Sequence, residues 1–198
     1  MSLAQYFDSV WREGEDPFGY RHRWYEARKR DLLLATLTRP TYDRAWEIGC
    51  ANGELTRALA PRCASLLATD LHPRAVAVAR QACADRAHVR IERMEHPRQW
   101  PAGVFDLVVV GEMGYYLDDA ALDAFADRLA ASLTPGALLL ACHWRHDFEG
   151  RGSPADAVHA RLGAIAGLAP VLRYADADFV LEGWSGDFVS PAQREGLR

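Results

Sequence analysis

The sequence has no paired cysteines and no strong excess of either charge, and these two absences exclude several classes of protein. Its four cysteines are widely separated and form no C-x-x-C pair; they are Cys50, Cys63, Cys83 and Cys142. A disulfide framework or a zinc cage is therefore not predicted, and we expect reduced thiols and no bound metal. Lysine and arginine total 23 against 27 aspartates and glutamates, so the formal net charge of -4 creates no field that attracts nucleic acid.

Long apolar runs are also missing. The longest, residues 107–110 and 137–142, fall far short of the roughly 20 residues that cross a bilayer. Residues 1–11 mix polar and aromatic side chains and lack the apolar core of a signal peptide. We therefore expect a soluble, cytoplasmic protein without a membrane partner.

The composition that is present is that of an ordinary globular protein. Of the 198 residues, 49% are hydrophobic and 25% are charged, which is enough to bury a substantial core. The length suits one domain and is short for two, so we predict a single domain over residues 1–198.

Short apolar segments alternate with helical ones through the middle of the chain. Strands are predicted at residues 44–48, 66–69, 89–93, 105–110 and 138–143. Helices are predicted at residues 24–37, 54–59, 75–84 and 120–132. This alternation predicts an α/β fold with a doubly wound, mostly parallel sheet.

Two further strands are predicted near the end of the chain. Residues 170–174 and 179–184 are separated by the short polar link Asp176-Ala177-Asp178, and a helix over residues 156–166 precedes them. A link this short joins antiparallel neighbours. We therefore predict a seven-stranded sheet with an antiparallel hairpin at one edge.

The turn after the first strand has the residues of a ligand site. Ligands of open parallel sheets lie beyond the carboxyl ends of the strands. Gly49 permits a sharp turn there, and Gly53 lets the following helix approach closely, so backbone N–H groups can face a ligand. About twenty residues further, Asp70 ends the second strand, where such folds place an acid that accepts hydrogen bonds from ribose hydroxyls. We expect Cys50 and Leu71 to border the same site.

Glu47 indicates which kind of ligand the turn prefers. Its carboxylate, two residues before Gly49, suits a cationic sulfonium or amino group and repels a pyrophosphate. Ala51 also stands where the dinucleotide fingerprint needs its second glycine. An NAD-dependent oxidoreductase is thus a weaker hypothesis, and a cofactor-binding module without catalysis stays open.

Several ordered motifs resemble those of class I S-adenosylmethionine-dependent methyltransferases. They are Glu47-x-Gly49-x-x-x-Gly53, Asp70, Met94-Glu95 and Phe105-Asp106-Leu107-Val108-Val109. The resemblance implies that Asp70 binds the ribose of the cofactor and that Met94 and Glu95 meet its adenine. It also implies that Gly111, Glu112 and Met113 lie beside its methionine moiety.

A narrower resemblance covers most of the chain. The segments that carry it are Asp16-Pro17-Phe18, Trp24-Tyr25-Glu26-x-Arg28-Lys29-Arg30, Ala60-Pro61-Arg62-Cys63 and His143-Trp144-Arg145-His146. They are similar to the nodulation protein S-like branch, whose founding members N-methylate the free amine of a deacetylated chitooligosaccharide. The resemblance implies methyl transfer to a small acceptor such as an amine of an amino sugar, with O-methylation of a small metabolite as the alternative.

The end of the fifth strand offers a candidate base. Methyl transfer from a sulfonium needs mainly an oriented acceptor and a group that removes its proton. His143 lies at that strand end, and an imidazole titrates near neutrality. We predict His143 as the base, with a loop-bonding histidine as the alternative, and we predict Tyr115, Trp144 and Arg145 as acceptor contacts.

Residues 1–40 are predicted to form a helical cap over the cofactor, with Tyr25 and Arg28 touching it. The interleaved cations and aromatics of residues 20–25 are also compatible with single-stranded nucleic acid, although a solvated helix face is the better interpretation. We expect no nucleic-acid partner, and a monomer or a weak homodimer.

Overall fold

The computed structural model describes residues 3–198, and all seven of its strands belong to one sheet. The strands are β1 Tyr42–Ile48, β2 Cys63–Asp70, β3 Val89–Arg93, β4 Phe105–Gly111, β5 Leu133–Trp144, β6 Ala169–Ala175 and β7 Phe179–Ser185. The helices are α1 Leu3–Val10, α2 Trp24–Ala35, α3 Glu54–Leu59, α4 Pro73–Ala82, α5 Asp119–Ala130, α6 Ala155–Gly163 and α7 Pro191–Arg194. Within these residues, no helix is long and apolar enough to cross a membrane.

The sheet has the order β3-β2-β1-β4-β5-β7-β6. The first five strands in this order run parallel, and β7 pairs antiparallel with both β5 and β6. The predicted doubly wound sheet with an antiparallel edge hairpin is therefore confirmed. Because the order reverses between β1 and β4, their carboxyl ends open a crevice at the centre of the sheet.

Two apolar layers cover the sheet because its central strands are buried on both faces. On one face, Val108 and Val110 of β4 pack with residues of α5 and α6. On the other face, Leu107 and Val109 pack with residues of α2 and α3. The helices thereby clamp the strands whose ends form the crevice.

Two helices next to the crevice begin at well-defined caps. Pro73 opens α4, and the side chain of His72 accepts a hydrogen bond from the backbone of Arg74. Asp118 caps α5 by accepting from the backbone N–H of Ala121.

Several boundaries differ from the sequence prediction. Strand β1 begins at Tyr42 and β2 at Cys63, each earlier than predicted. Strand β5 begins at Leu133 instead of residue 138 and includes Thr134-Pro135-Gly136, where the pairing with β4 shifts register between Phe105 and Leu107. This irregularity accommodates Pro135, which cannot donate a ladder hydrogen bond. The last residues of the chain include α7, which has a capping box at Ser190.

Candidate functional site

The turn after β1 requires glycine at position 49. Gly49 has a φ of +87°, and a Cβ atom there would lie 2.3 Å from the carbonyl oxygen of Gly111. The backbone N–H groups of Gly49 and Cys50 donate to the Thr69 carbonyl at 2.9 and 3.1 Å, which fixes the turn against β2. Any larger residue at position 49 would push the β1 and β4 ends apart.

Gly53 has a different function in the same turn. Its φ is +83°, and a Cβ atom would lie 3.0 Å from the Cα atom of Ala79 in α4. Gly53 is not part of either cavity wall described below. Gly53 allows the turn to approach helix α4 closely, as predicted from the sequence. It does not line the cavities in which a cofactor would lie.

The Asp70 carboxylate is held open to the crevice by two backbone donors. Its Oδ2 accepts from Ala51 N–H and its Oδ1 from His72 N–H, both at 2.9 Å. Burial raises the pKa of Asp70, and the backbone hydrogen bonds act in the opposite direction. An ionised carboxylate accepts up to about four hydrogen bonds, so each oxygen retains capacity for a ligand hydroxyl.

Glu47 is a buried carboxylate with an unpaired oxygen. The residue is 1% exposed, and its Oε2 has no hydrogen-bond partner among the described residues. Burial raises its pKa to about 7. An unpaired buried carboxylate is costly in isolation and suits a cationic ligand group beside it.

Two adjoining cavities open at the crevice. The smaller has a volume of about 60 Å³ and the larger about 470 Å³. Tyr20, Gly49, Ala51 and Glu112 line both, so the two cavities are neighbours at the crevice.

Most of the predicted site residues meet in these walls. The smaller cavity is bordered by Glu47, Gly49, Cys50, Gly111 and Glu112. The larger is bordered by Gly49, Asp70, Leu71, Met94, Glu95, Glu112, Met113 and Tyr115. Strand ends separated in the chain thus converge on one site, as a parallel sheet requires.

Tyr25 and Arg28, which were predicted to touch the cofactor, do not line either cavity. Arg28 Nη1 donates to Asp176 Oδ2 at 2.9 Å, and the Tyr25 ring meets the Trp144 ring edge-on at 5.5 Å. The cavity face of α2 is instead formed by Glu26, Lys29, Arg30 and Leu33. These positions share one side of a helix, which turns Tyr25 and Arg28 toward the β6–β7 hairpin.

His143 is fully buried and borders neither cavity. Its Nε2 accepts from Gly114 N–H at 3.1 Å, and its Nδ1 is 3.0 Å from Nε2 of His159. Burial lowers the pKa of His143 well below its ordinary value. Because both ring nitrogens are bonded inside the protein, the geometry does not support the predicted role of His143 as the base.

Trp144 and Arg145 also lie outside both cavities. The Trp144 ring packs on the His146 ring at 4.6 Å, and Arg145 Nη1 donates to the carbonyl of Asp176 at 2.7 Å. Both side chains are directed to the hairpin corner, so the predicted acceptor contacts at these two positions are not supported. Tyr115 does border the larger cavity.

A buried charge cluster that the sequence did not predict borders the smaller cavity, and its Glu112 borders both cavities. Lys29 Nζ contacts Glu26 Oε2 at 2.9 Å and Glu112 Oε1 at 2.5 Å. Burial alone would lower the pKa of Lys29, but Glu112 and other groups raise it above its ordinary value. Glu112 Oε2 accepts from Tyr115 O–H at 2.7 Å and from Trp144 N–H at 2.9 Å. The cluster therefore fixes the orientation of the Tyr115 hydroxyl.

Aromatic side chains from the N-terminal segment complete the larger cavity. Phe7, Trp11, Phe18 and Tyr20 line it together with Tyr116. Sequence reasoning named only Tyr25 and Arg28 from residues 1–40, although the interleaved aromatics of residues 20–25 were the signal for Tyr20. Phe7 and Trp11 had no comparable signal, because nothing local says which ring faces a distant strand end.

Asp16 ties this N-terminal segment to the glycine turn. One carboxylate oxygen accepts from Asn52 Nδ2 and from Tyr20 N–H, both at 2.8 Å, and the other accepts from Arg21 N–H at 3.0 Å. The Asp16 side chain is only 11% exposed. The segment over the larger cavity is thereby anchored to the chain that borders the smaller one.

The charged and polar groups of this site fit S-adenosylmethionine. The unpaired Glu47 oxygen suits a cation, Asp70 can accept from two vicinal hydroxyls, and the Gly49 turn keeps side-chain atoms out of the crevice. The aromatic wall and the adjoining space suit an apolar ring and a second substrate.

Comparisons with known proteins agree with a site for S-adenosylmethionine. The family model of nodulation protein S (NodS) matches residues 12–181. The nodulation protein S of Sinorhizobium fredii is 32% identical over 80% of this chain and 69% of its own length. That of Rhizobium tropici is 31% identical over 83% of this chain, which spans 63% of the relative.

Solved structures give the same result. A putative methyltransferase from Pseudomonas syringae is 45% identical, with a TM-score of 0.73 over 82% of this chain and 99% of that one. The N-methyltransferase NodS from Bradyrhizobium japonicum, in complex with S-adenosyl-L-homocysteine, is 27% identical. Its TM-score is 0.82 over 91% of this chain and 96% of that one.

These matches confirm the predicted fold. The family match and the NodS structure also confirm the predicted methyl donor, S-adenosylmethionine. The chain belongs to the nodulation protein S family of S-adenosylmethionine-dependent methyltransferases.

Proposed function

We propose that this protein transfers the methyl group to an amine of a small acceptor, such as an amino sugar or a related metabolite. The observation that carries the proposal is the pair of adjoining cavities, which bring Glu47, Asp70 and the Glu112–Tyr115 pair to one crevice. The name of the Bradyrhizobium japonicum relative, an N-methyltransferase, supports nitrogen as the acceptor atom.

Distinct residues would hold each part of the methyl donor. We expect Asp70 to bind the ribose hydroxyls, Met94 and Glu95 to border the adenine, and Glu47 to face the ammonium group. Arg30 would meet the carboxylate of the methionine moiety, since its one hydrogen-bond partner among the described residues is the carbonyl of Tyr20. The donor supplies an already activated methyl group, so the protein mainly orients the acceptor.

Tyr115 is the best-placed group for that orientation. Its hydroxyl donates to Glu112, so the oxygen lone pairs remain available to accept a hydrogen bond. Burial raises the pKa of Tyr115 well above its ordinary value, which keeps the hydroxyl neutral. A neutral amine that donates N–H to this oxygen would keep its own lone pair free for the methyl group.

Two measurements test the function. In titration calorimetry, S-adenosylhomocysteine should bind and NADH should not. With labelled S-adenosylmethionine, glucosamine and chitosan oligomers should accept label, and their N-acetylated counterparts should not. Label that enters the N-acetylated sugars or simple phenols equally well would instead indicate O-methylation, and binding without any turnover would indicate a module that lost catalysis.

We also propose that the protein acts in the cytoplasm, as a monomer or weak homodimer, on small molecules rather than on nucleic acid or at a membrane. The net charge of -4 supports the exclusion of polyanions. Sedimentation velocity over a range of protein concentrations measures the association state. A constant mass of about two chains would contradict a weak association.

A further inference from the structure

Two buried histidines and a partly exposed glutamate form a row of hydrogen bonds. Glu182 Oε2 lies 2.7 Å from His159 Nδ1, His159 Nε2 lies 3.0 Å from His143 Nδ1, and His143 Nε2 lies 3.1 Å from the backbone nitrogen of Gly114. His143 is fully buried and His159 is 3% exposed. Glu182 reaches the surface, where its other oxygen pairs with Arg173 at 2.9 Å.

The chain of bonds determines the tautomer of each ring. A backbone N–H can only donate, so His143 Nε2 carries no proton and the ring proton lies on Nδ1. His143 Nδ1–H then donates to His159 Nε2, and His159 Nδ1–H donates to the Glu182 carboxylate. All four ring nitrogens have a hydrogen-bond partner only when both rings are neutral. An added proton on either Nε2 would place two N–H donors opposite each other.

The row of hydrogen bonds that begins at Glu182 ends at the turn that carries Tyr115 and Tyr116. Gly114 begins the short 3-10 helix Gly114–Tyr116, and Tyr115 and Tyr116 both line the larger cavity. A Cβ atom on Gly114 would lie 2.5 Å from Val158 of α6, so the turn is pressed against that helix. The His143 bond to Gly114 therefore sets where the turn begins.

We propose that His143 is a positioning residue, which through Gly114 holds Tyr115 and Tyr116 toward the acceptor, with His159 and Glu182 fixing its tautomer. The inference rests on the proposed function, since it assigns these tyrosines to the acceptor side. In this proposal His143 does not remove a proton from the substrate. Gly152 N–H and Ser153 N–H bond the Tyr115 carbonyl at 2.7 and 3.0 Å, so the rest of the turn has its own anchors.

A matched pair of amide variants separates positioning from base catalysis. The amide of His143→Gln reaches the Nε2 position and can still accept from Gly114 N–H, whereas that of His143→Asn reaches only the Nδ1 position. Neither amide acts as a base. Hydrogen–deuterium exchange of residues 114–116, S-adenosylhomocysteine affinity and acceptor KM and kcat are measured for both, with the most active amine of the acceptor panel.

Positioning predicts that His143→Gln retains exchange protection at Gly114 and an acceptor KM within about threefold of the native value. It predicts that His143→Asn loses the protection and raises acceptor KM by about tenfold, with S-adenosylhomocysteine affinity unchanged in both, since one buried hydrogen bond is lost. Equal loss of kcat in both variants with normal KM and normal protection would overturn the proposal in favour of a base.

Variants of Glu182 and Arg173, at the surface end of the row of hydrogen bonds, keep the test decisive if substitutions at His143 impair folding. Glu182→Ala should lower protection of the 114–116 turn, and Arg173→Ala, which leaves the His159 bond intact, should not. Unchanged protection in Glu182→Ala would exclude the coupling. Since exchange needs no turnover, a native protein inactive on every amine would refute the proposed function and leave the positioning result readable.

Discussion

Asp70 and Glu47, two carboxylates that line the cavities, show how the local environment gives similar residues different properties. Asp70 accepts hydrogen bonds from two backbone N–H groups, which orient it and favour its ionised form. Glu47 Oε2 has no such partner within the described residues, and its burial raises its pKa to about 7. We therefore expect Asp70 to accept hydrogen bonds from neutral hydroxyls and Glu47 to pair with a cationic group of the ligand.

Replacement of Asp70 tests the first of these roles. In Asp70→Asn, an amide NH₂ would face either Ala51 N–H or His72 N–H, and the remaining oxygen would be a weaker acceptor. We expect S-adenosylhomocysteine affinity to fall by about 10- to 100-fold, the range for hydrogen bonds to charged groups, in titration calorimetry. Asp127→Asn on the exposed face of α5 is the control. Equal affinity of both variants would contradict the ribose assignment.

His143 shows why a strand end alone does not identify a catalytic side chain. Cys142 borders the smaller cavity, and the next side chain along a strand points to the opposite face. His143 therefore lies toward α6, where His159 meets it. The sequence placed His143 at the correct strand end, but its direction depends on which face of β5 the cavity occupies.

At the level of elements, one face of helix α2 borders the smaller cavity, and the segment before α2 lines the larger one. Lys29 and Glu26 face the smaller cavity, and Arg28 binds the β6–β7 hairpin through Asp176. The helical cap over the cofactor, assigned to residues 1–40, stays a prediction. The cavity-facing residues were missed because a short helix with charges on all sides gives no sequence signal for its inner face.

The cap predicts a specific effect of Asp16. Asp16→Ala removes the acceptor shared by Tyr20 N–H, Arg21 N–H and Asn52 Nδ2. We expect trypsin to cleave after Arg21 or Arg23 faster, and S-adenosylhomocysteine to bind about tenfold more weakly, as expected for loss of buried hydrogen bonds.

Glu15→Ala is the matched control, because the Glu15 side chain is 55% exposed and its contact with Arg21 is a surface ion pair. In the native protein, S-adenosylhomocysteine should slow cleavage at the same sites. Cleavage that is unaffected by this ligand and by Asp16→Ala would exclude a closing cap.

At the scale of the whole molecule, burial of ionisable groups around one crevice makes stability depend on pH in opposing ways. The pKa of Glu47 is raised from 4.5 to about 7, so its contribution to stability is present below pH 4.5 and lost as pH rises through 7. The pKa of His96 is lowered to about 4, so its contribution is present above its ordinary value of 6.5 and lost as pH falls.

Glu47→Gln separates these effects. An amide does not ionise, so the variant should gain stability over the native protein as pH rises from 4.5 to 8, by up to about 3 kcal/mol for a shift of this size. Urea unfolding without ligand at both pH values measures the difference. Glu149→Gln, at an exposed position, is the control. A difference that does not change with pH would mean that Glu47 is already paired or hydrated.

The sequence by itself determined the fold class and the donor turn, because these depend on local rules. Alternating strands and helices dictate a parallel sheet whose strand ends meet at one edge, so Gly49 and Asp70 were predicted from their positions, whereas Glu95 was predicted from the family resemblance. Only the tertiary structure decided which faces of α2 and β5 meet the cavities. It placed Lys29 and Tyr20 in the site and turned His143 into the core, because such directions depend on contacts between residues far apart in the chain.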